Sequence, residues 1–370
     1  LKLSDAKKAI GVDIKLTLKK PAIRHGDDGV VRGSDDEMMF YYFIPRCEVA
    51  GTITHRGVAH EIAQGQGWYD HEFGVGEVEN IDDAAEAKLP QAERERIQQE
   101  RKERIDARQV GWNWISCQLE DGTEFTVYPE TYIRSGKSAG DYVVTIGPKG
   151  ERNAYKELSL EPLEVWQSTQ TFFEYPIRWK LSIPKAGIDV QVKAAFEDQE
   201  FITLISKPSF YEGRVHIEGT KNGKPIKGVG FVERNGYAPF EDLDGFFEQV
   251  GKVVRRSVEN VIPKAPTYKQ ARDLLASKDK EHYMEGVDVE QYARTHIHPI
   301  REIVDRGGKG WRSYAAITCT DIVGGDSRKF AQWLALPELM HVGSMIVDDV
   351  QDKSTVRRGG PTAHMIYGEA

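Results

Sequence analysis

The residues with the clearest chemical capacity are three aspartates near the C-terminal end of the sequence. Asp348 and Asp352 are four positions apart, and Asp349 directly follows the first of them. In a helix, residues four apart lie on one face one turn apart, so Asp348 and Asp352 would point the same way. Two carboxylates so arranged supply only part of the octahedral shell of Mg²⁺ and leave the rest to water and phosphate oxygens. The spacing therefore predicts a Mg²⁺–diphosphate site with Asp348 and Asp352 as metal ligands.

Basic residues suited to phosphate binding flank these acids. Arg357 and Arg358 follow them, and a guanidinium offers phosphate a planar fork of donors that cannot lose its charge. Lys309 and Arg312 stand three positions apart in a glycine-rich stretch, which predicts one shared helical face with room for a phosphate near the backbone. His341 precedes the acidic pair by two helical turns on the same stripe. A satisfied core histidine is the alternative interpretation of His341.

The order and spacing of these motifs resemble the trans-isoprenyl diphosphate synthase family. The run 337–352 with Arg-Arg-Gly at 357–359 is similar to that family's first aspartate-rich region, and 307–312 is similar to its GGKxxR signature. The resemblance implies an all-α isoprenoid synthase fold. It also implies ionisation of an allylic diphosphate, attack by the double bond of isopentenyl diphosphate and loss of a proton, with Mg²⁺ and arginines stabilising the departing diphosphate.

The resemblance assigns roles to individual residues. Asp348 and Asp352 would bind Mg²⁺, and Asp349 would assist in catalysis. Arg357 would contact the allylic diphosphate. The residues that would contact isopentenyl diphosphate are Lys309, Arg312, His341 and Arg358.

Two small residues, Gly343 and Ser344, lie just before the first aspartate. Bulk at this place limits product length in the family, so the resemblance implies a product longer than farnesyl, with geranylgeranyl the first expectation. An ionising terpene cyclase also uses DDxxD, but a cyclase has no isopentenyl diphosphate for the two basic motifs to hold. A chance match on a solvated helix is the remaining alternative, and the acidic run 82–86 is interpreted in that way because neither basic motif accompanies it.

A helical pattern carries these motifs, and we predict an α domain over 237–370. No second aspartate-rich segment follows Arg358, so we expect the sequence to be a fragment, truncated in the front half of the synthase fold and inactive in turnover by itself. The sequence begins with Leu1 rather than Met. We therefore expect residues to be missing at both ends.

The preceding residues carry β-strand patterns. Ile188, Val190 and Val192 alternate with polar residues, and short aromatic or β-branched runs are separated by turn residues. Many short strands separated by turns indicate a sandwich or barrel, and we predict an all-β domain over 1–236. The charged segment 81–109 interrupts the pattern and is predicted to be a solvated helical insertion, with a protein-docking arm as the alternative.

Glycine- and aromatic-rich stretches of the β half resemble the carotenoid 1,2-hydratase family and its lipocalin-like relatives. The stretches that carry the resemblance are 65–74, 111–122, 211–219 and 228–233. Phe73 stands where a Trp is common in that family. The resemblance implies that an isoprenoid or polyene ligand is protonated or cyclised inside an apolar barrel.

Acid chemistry of that kind needs a carboxyl group whose neutral form is favoured by desolvation. Asp70 and His71 are predicted as catalytic residues, with Tyr128 and Glu130 as further candidates. Two alternatives stay open. Asp70 and His71 could form a structural hydrogen-bonded pair, or the barrel could hold a ligand without any catalysis.

Composition limits the remaining classes of function. The 370 residues carry a net charge of −8, which argues against nucleic acid as the main partner. No stretch approaches the roughly 18 apolar residues of a membrane span. The three cysteines are far apart, so neither a disulfide framework nor a zinc site is predicted, and a reducing cytoplasm is expected. The synthase resemblance further implies a homodimer through the α domain.

The two resemblances together predict a bifunctional isoprenoid-biosynthesis protein. In this interpretation a hydratase- or cyclase-like β domain precedes a Mg²⁺-dependent prenyltransferase. The rival of another class is a lipid-binding protein, in which a non-catalytic barrel delivers or stores the product of the synthase.

Overall fold

A computed structural model describes most of the chain. The residues it describes are 1–25, 28–32, 38–74, 89–108, 110–202, 209–235, 242–275 and 281–369.

The chain divides into two compact units, an all-β unit and a helical unit. The β unit is Leu1–Trp166 with Tyr175–Ala238, and the helical unit is Gln167–Glu174 with Pro239–Ala370. The main division falls two residues after the limit expected from the sequence, at 236. The assignment of 167–174 to the helical unit had no signal in the sequence.

One long strand organises the first sheet of the β unit. Within the described residues its seven strands are β1 (Lys2–Asp5), β2 (Ile10–Leu18), β3 (Ile23–Arg24), β4 (Val30–Arg32), β5 (Met38–His55), β6 (Val58–Glu61) and β7 (Gly65–Gly74). Strand β5 has 18 residues and pairs antiparallel with each of the others except β1, which pairs with β2. Tyr41 and Phe43 of β5 are buried, whereas Tyr42 between them projects from the other face.

The second sheet is larger and also antiparallel. Within the described residues its ten strands are β8 (Val110–Leu119), β9 (Glu124–Tyr132), β10 (Ser138–Ile146), β11 (Arg152–Tyr155), β12 (Ser159–Gln167), β13 (Glu174–Ile183), β14 (Ile188–Ala194), β15 (Glu200–Phe201), β16 (Phe210–Lys221) and β17 (Lys224–Asn235). Along β14 the residues alternate strictly between buried and exposed, beginning with buried Ile188. The alternation predicted from the sequence is confirmed.

The charged insertion is helical where the structure describes it. Helix α1 (Gln91–Arg108) forms side-chain bonds between residues four apart, such as Gln91 Nε2 to Glu95 Oε1 at 2.9 Å. The first part of the predicted insertion, 81–88, and its last residue lie outside the described residues. The acidic run 82–86 is therefore not described either.

The second unit consists mainly of helices of 4 to 19 residues. They are α2 (Leu243–Val261), α3 (Tyr268–Leu275), α4 (Val289–Tyr292), α5 (His298–Asp305), α6 (Trp311–Ile322), α7 (Ala335–Gln351) and α8 (Ala363–Tyr367), with a two-stranded hairpin of β18 (Val356–Arg357) and β19 (Gly360–Pro361) before α8. No helix in the ranges that the structure describes is long and apolar enough to cross a membrane.

Helix α2 forms the core of this unit. Asp242 caps it by accepting a hydrogen bond from the backbone N–H of Gly245 at 2.7 Å. Val250, Val254 and Val258 recur every four residues and are buried, so one apolar stripe faces the neighbouring helices.

The apolar pattern of the sequence predicts an uninterrupted helical run over 331–350, and the structure is helical throughout, although the first turn is 3₁₀ rather than α. Residues Ser327–Leu334 form a 3₁₀ helix, and the α-helix begins only at Ala335. Pro337 gives the physical reason, because it lacks a backbone N–H and is tolerated only in the first turn of a helix. A helix begun at 331 would have placed Pro337 in its interior.

Candidate functional site

The acidic pair lies at the C-terminal end of α7. Asp348 is in the last turn, and Asp352 is the C-cap residue whose N–H donates to the carbonyl oxygen of Asp348 at 2.8 Å. Both side chains are exposed. The C-terminal end of a helix is the negative end of its dipole, so carboxylates there repel the helix end as well as one another. This end of α7 is therefore suited to receive a cation.

A left-handed residue ends the helix. Lys353 has φ +54°, and the N–H of Ser354 donates back to the carbonyl of Asp349 at 2.9 Å while that of Lys353 donates to Val350 at 3.3 Å. These two bonds form a Schellman motif. The chain consequently reverses just after the last aspartate.

The reversed chain forms a tight hairpin that holds both arginines. Arg357 pairs with Gly360, and the two residues between them, Arg358 and Gly359, have φ +48° and φ +74°. Positive φ at both central residues defines a type I′ turn, which glycine tolerates without strain. The glycine of the Arg-Arg-Gly motif thus has a structural role, because it lets the hairpin turn.

The buried partner of Arg357 is Asp349. Arg357 donates from Nε and Nη2 to Asp349 Oδ1 at 2.9 and 2.5 Å, and Nη2 lies 3.6 Å from Oδ2 of Asp348. Only 1% of the Asp349 side chain is exposed. The hydrogen bonds that Arg357 donates to Asp349 raise the pKa of Arg357, and the charges of Asp349, Asp348 and Asp352 add to that. Asp349 therefore orients Arg357, while Asp348 and Asp352 remain open to a ligand.

Glu338, which sequence reasoning missed, holds Arg358. Arg358 donates from Nη2 to Glu338 Oε1 at 3.0 Å and from Nη1 to the Ile303 carbonyl at 3.0 Å. A Cβ on Gly308 would lie 3.2 Å from Nη2 of Arg358, so the guanidinium rests against the glycine stretch. Glu338 lies within the run 337–352 that carries the synthase resemblance, but its burial, which makes it the partner of Arg358, depends on the fold.

The predicted shared helical face of Lys309 and Arg312 is wrong. Gly310 has φ +61° and is the N-cap of α6, so Lys309 precedes the helix and Arg312 lies within it. The Lys309 ammonium instead binds Asp244 Oδ1 at 2.6 Å, with both groups exposed, and Arg312 stacks over the ring of Trp311 at 4.7 Å.

Charged residues from several elements of the helical unit shift the pKa of His341. Partial burial lowers the pKa of His341, and the positive charges of Arg312, Arg358 and Arg357 lower it further, against the opposing effect of Glu338. Basic residues of α6 and of the hairpin therefore both affect the charge state of His341 on α7. That these residues form one substrate-binding site stays a prediction.

The residues present fit a partial shell for Mg²⁺ rather than a complete one. No group of three or more His, Cys, Asp or Glu side chains able to hold a metal occurs within the described ranges. Two exposed aspartates beside an arginine suit an ion whose other ligands are water and phosphate oxygens, as Mg²⁺ prefers. On the same helix, Gly343 has open space where a Cβ would stand, and the Ser344 hydroxyl donates to the His341 carbonyl at 2.8 Å.

In the β unit, Asp70 and His71 project from opposite faces of β7. Tyr41 donates from its hydroxyl to Asp70 Oδ2 at 3.1 Å, whereas His71 lies against Tyr42, with ring centroids 5.4 Å apart. Tyr41 and Tyr42 are consecutive on β5 and so point in opposite directions. The alternative of a structural Asp70–His71 pair is therefore wrong.

Asp70 shares its face with further carboxyl groups. Burial among protein atoms raises the pKa of Asp70, and it raises the pKa of Glu72 with help from the charge of Asp70, although both side chains remain accessible to water. Glu130 is 5% exposed. Burial, followed by the charges of Glu72 and Asp141, raises the pKa of Glu130 to about 7.

Glu233 belongs to the same cluster and was missed in the sequence. Trp112 donates from Nε1 to Glu233 Oε1 at 2.9 Å. Burial raises the pKa of Glu233, and the charges of Glu212, Asp70 and Glu72 add to the effect. Aromatic residues pack around these acids in a cluster that consists of Tyr41, Trp114 and Tyr128 with Met39, Trp68, Trp112 and Tyr142. Burial raises the pKa of Tyr128 as well.

Comparison with family models identifies two regions. The AttH-like model matches residues 1–84 and 98–237. The polyprenyl synthetase model matches residues 294–370. The two matches correspond to the all-β and the helical parts of the chain.

Individual relatives match one region each. Kievitone hydratase of Fusarium solani subsp. phaseoli is 22% identical over 197 residues, 51% of this chain and 47% of its own length. The short chain isoprenyl diphosphate synthase of Methanothermobacter thermautotrophicus is 36% identical over 75 residues, 20% of this chain and 23% of its own length. The crystal structure of a putative AttH from Nitrosomonas europaea has a TM-score of 0.49 at 22% identity, covering 64% of each chain. The chain thus spans about half of the first relative and under a quarter of the second.

Proposed function

This chain belongs to the AttH-like family through residues 1–84 and 98–237, and from that premise and the polyprenyl synthetase match at 294–370 we propose that it is part of a bifunctional isoprenoid enzyme. The helical unit provides the Mg²⁺–diphosphate site of a trans-prenyltransferase, which condenses isopentenyl diphosphate with an allylic diphosphate. The β unit binds an isoprenoid and supplies an acid for its hydration or cyclisation.

One observation carries the prenyltransferase proposal, and it is the position of Arg357. Buried Asp349 holds its guanidinium 3.6 Å from the exposed carboxylate of Asp348. A fixed guanidinium beside free carboxylates places phosphate donors next to metal ligands, which is what a departing diphosphate requires. A purely structural ion pair would not leave Asp348 and Asp352 open at the negative end of a helix dipole.

Asp348 and Asp352 would hold Mg²⁺, which neutralises the diphosphate as it leaves. Arg357 contributes a permanent charge and oriented N–H donors to the same oxygens. Because Asp349 already fixes that guanidinium, little reorganisation is needed when the diphosphate arrives.

The second substrate is proposed to bind through Lys309, Arg312, His341 and Arg358. Lowering of the pKa of His341 keeps its ring neutral, so it donates one hydrogen bond without adding charge. Lys309 is engaged by Asp244 in an exposed pair, which a phosphate oxygen can replace at little cost. An ionising cyclase has no use for this second set of donors.

Product length is proposed to depend on Gly343. Nothing lies within 4 Å of the place where its Cβ would stand, so a growing prenyl chain has room there. We expect a product of geranylgeranyl length or longer, and replacing Gly343 with Phe in the complete protein should shorten it. Product analysis with labelled isopentenyl diphosphate measures this, and an unchanged product spectrum contradicts it.

Calorimetric titration of this chain with inorganic pyrophosphate tests the site directly. Addition of Mg²⁺ should increase binding above the level measured in EDTA, and this Mg²⁺-dependent component should be lost in Asp348→Asn and Asp352→Asn. Asp273→Asn is the matched control, since it makes the same change on an exposed residue of α3. The absence of a Mg²⁺-dependent component, or an equal loss of it in the control, would overturn the proposal.

For the β unit, the observation in favour of acid chemistry is the Glu130 carboxyl. A carboxyl whose pKa is about 7, placed beside aromatic rings, is about half protonated at neutral pH, and its protonated form can protonate an alkene. The rings would stabilise the resulting carbocation through their π faces. Asp70 is the second acid, held by Tyr41.

One variant of Glu130 distinguishes acid catalysis in the β unit from the alternative of a barrel that only binds a lipid. Glu130→Gln keeps the size and polarity of the side chain but cannot donate a proton as an acid. It should abolish conversion of an isoprenoid alkene by the complete protein while leaving retinol binding, measured by fluorescence, unchanged. Full retention of conversion would favour a binding barrel without catalysis.

A further inference from the structure

The second sheet carries a polar groove that neither proposed activity uses. Strands β13, β14 and β16 form it, and its volume is about 630 Å³. Small-molecule sites commonly measure about 300–1,000 Å³. Gly219 lines the groove, and a Cβ there would come within 2.3 Å of the Asp189 carbonyl oxygen. No side chain can therefore stand at this position, and the groove stays open.

Three basic residues stand in one row across the groove. In the register of the sheet, Arg178 lies directly opposite Lys193, and Lys193 lies directly opposite His216. All three line the groove. Directly opposed residues have Cβ atoms about 5 Å apart, and like charges at such positions repel and destabilise a sheet. The arrangement weakens the fold unless an anion lies across the row.

Two acids, Asp189 and Glu218, also line the groove, and nearby acids compensate its basic residues only in part. Arg178 is bound by Glu164, with Nε and Oε2 3.2 Å apart, and Glu218 is bound by Lys227 at 2.8 Å. No ion pair involves Lys180 or Lys193 anywhere in the described ranges of the chain. Lys180 is two residues from Arg178, so it projects from the same face of β13. Two ammonium groups are thus available to a ligand.

We propose that this groove is an anion site that takes a diphosphate group, with Lys193 at its centre and Arg178, Lys180 and His216 around it. Neighbouring strands are about 4.8 Å apart, so a diphosphate can contact the central residue and one of its neighbours at once. The choice of a diphosphate over other anions rests on the proposed prenyltransferase function. The anion site itself does not.

The row allows a test in which binding and stability move in opposite directions. Lys193→Glu replaces the like-charge contact with Arg178 by an opposite-charge contact, so it should raise the denaturation midpoint while it removes the ligand site. Lys15→Glu is the matched control, because it makes the same charge change on an exposed residue of the other sheet. Inorganic pyrophosphate is titrated into each protein in EDTA, where the aspartate-rich site of the helical unit has no metal.

The intact chain should bind pyrophosphate in EDTA, with affinity that falls as salt is raised. Lys193→Glu should weaken this binding roughly tenfold or more, and Lys180→Gln should weaken it less, since one charged hydrogen bond is lost in place of several. The Mg²⁺-dependent component lost in Asp348→Asn tests the prenyltransferase proposal, whereas binding in EDTA and its loss in Lys193→Glu test this groove, so the two failures are read separately. A second titration with farnesyl diphosphate identifies the source of the diphosphate. Tighter binding of farnesyl diphosphate than of pyrophosphate indicates a lipid diphosphate, whereas equal affinities indicate free pyrophosphate.

No binding in EDTA, or equal losses of binding in Lys193→Glu and Lys15→Glu, would overturn the proposed site.

Discussion

Arg358 and Glu338 form an ion pair that is nearly closed to water, with Nη2 and Oε1 3.0 Å apart and exposed side-chain fractions of 17% and 9%. The arginine belongs to the Arg-Arg-Gly motif, whereas the glutamate lies within the run 337–352 without a role predicted from the sequence. Since the Ile303 carbonyl takes a second hydrogen bond from the same guanidinium, Arg358 is fixed by two elements, α5 and α7.

Replacing Glu338 with Gln should destabilise the helical unit. The variant keeps an acceptor for Arg358 but leaves its charge without a buried counterion, which costs about 1–3 kcal/mol. Urea unfolding of the helical unit measures the loss. Glu290→Gln, an exposed residue of α4, is the control and should change the unfolding free energy by less than about 0.5 kcal/mol. Equal stability of both variants would contradict a structural role for this pair.

Substitutions of Asp349 and of Asp348 should have different effects on stability and on pyrophosphate binding. Asp349→Asn removes the buried charge that holds Arg357, so we expect a loss of about 1–3 kcal/mol in unfolding free energy together with weaker pyrophosphate binding. Asp348→Asn removes an exposed charge at a helix C-terminus, which should raise stability by about 0.3–1 kcal/mol while it abolishes Mg²⁺-dependent binding. If both variants had the same effect on stability, the two aspartates would not have the separate roles described.

The sequence predicted the elements of this site that depend on local spacing. Asp348 and Asp352 share a helical turn because helix geometry alone sets that relation. The predicted common face for Lys309 and Arg312 is wrong because Gly310 adopts a left-handed conformation as the N-cap, so the helix begins at Trp311, two residues after Lys309. Glycine permits this conformation without indicating it, so the boundary could not be read from residue types.

The partners of charged residues were the least predictable part. Glu338, Glu72 and Glu233 lie far in sequence from Arg358, Glu130 and Trp112, respectively, and these relationships became visible only when the fold fixed which face is buried. The β alternation of Ile188–Ala194 was predictable because one face of a strand must be apolar. The same rule separates Asp70 from His71, and applying it to β7 would have shown that the two cannot act as a contacting pair.

Buried His25 should lower the stability of the β unit, and the loss should be larger at acidic pH. It is fully buried, stacks on Tyr41 at 4.5 Å, and both of its ring nitrogens lack a hydrogen-bond partner in the described part of the chain. Burial lowers its pKa from 6.5 to about 3, so the folded protein keeps the ring neutral while the unfolded chain protonates it below pH 6.5. The unfolded state then binds more protons, and stability falls as the pH drops from 6.5 towards 3.

His25→Phe should therefore stabilise the β unit. It removes two unsatisfied polar atoms from an aromatic cluster, a gain of about 1–2 kcal/mol at pH 7, and the gain should grow as the pH falls to 5. Thermal unfolding at the two pH values measures this. His60→Phe, at an exposed position of β6, is the control and should show no such pH dependence. A destabilised His25→Phe protein would mean that the ring nitrogens are satisfied in solution.

Asp244 should compete with phosphate for Lys309. The carboxylate accepts a hydrogen bond from the ammonium at 2.6 Å, and this bond with Lys309 lowers the pKa of Asp244, so the pair is intact near neutral pH. A ligand must break an exposed pair of this kind to recruit Lys309, and exposed pairs are weak. Asp244→Asn should therefore tighten Mg²⁺-dependent pyrophosphate binding about two- to threefold, whereas Lys309→Gln should weaken it. Titrating the double variant decides the matter, because the effect of Asp244→Asn should vanish once Lys309 is absent. If Asp244→Asn tightened binding equally with and without Lys309, the aspartate would act through the overall electrostatic potential of the helical unit rather than through its contact with Lys309.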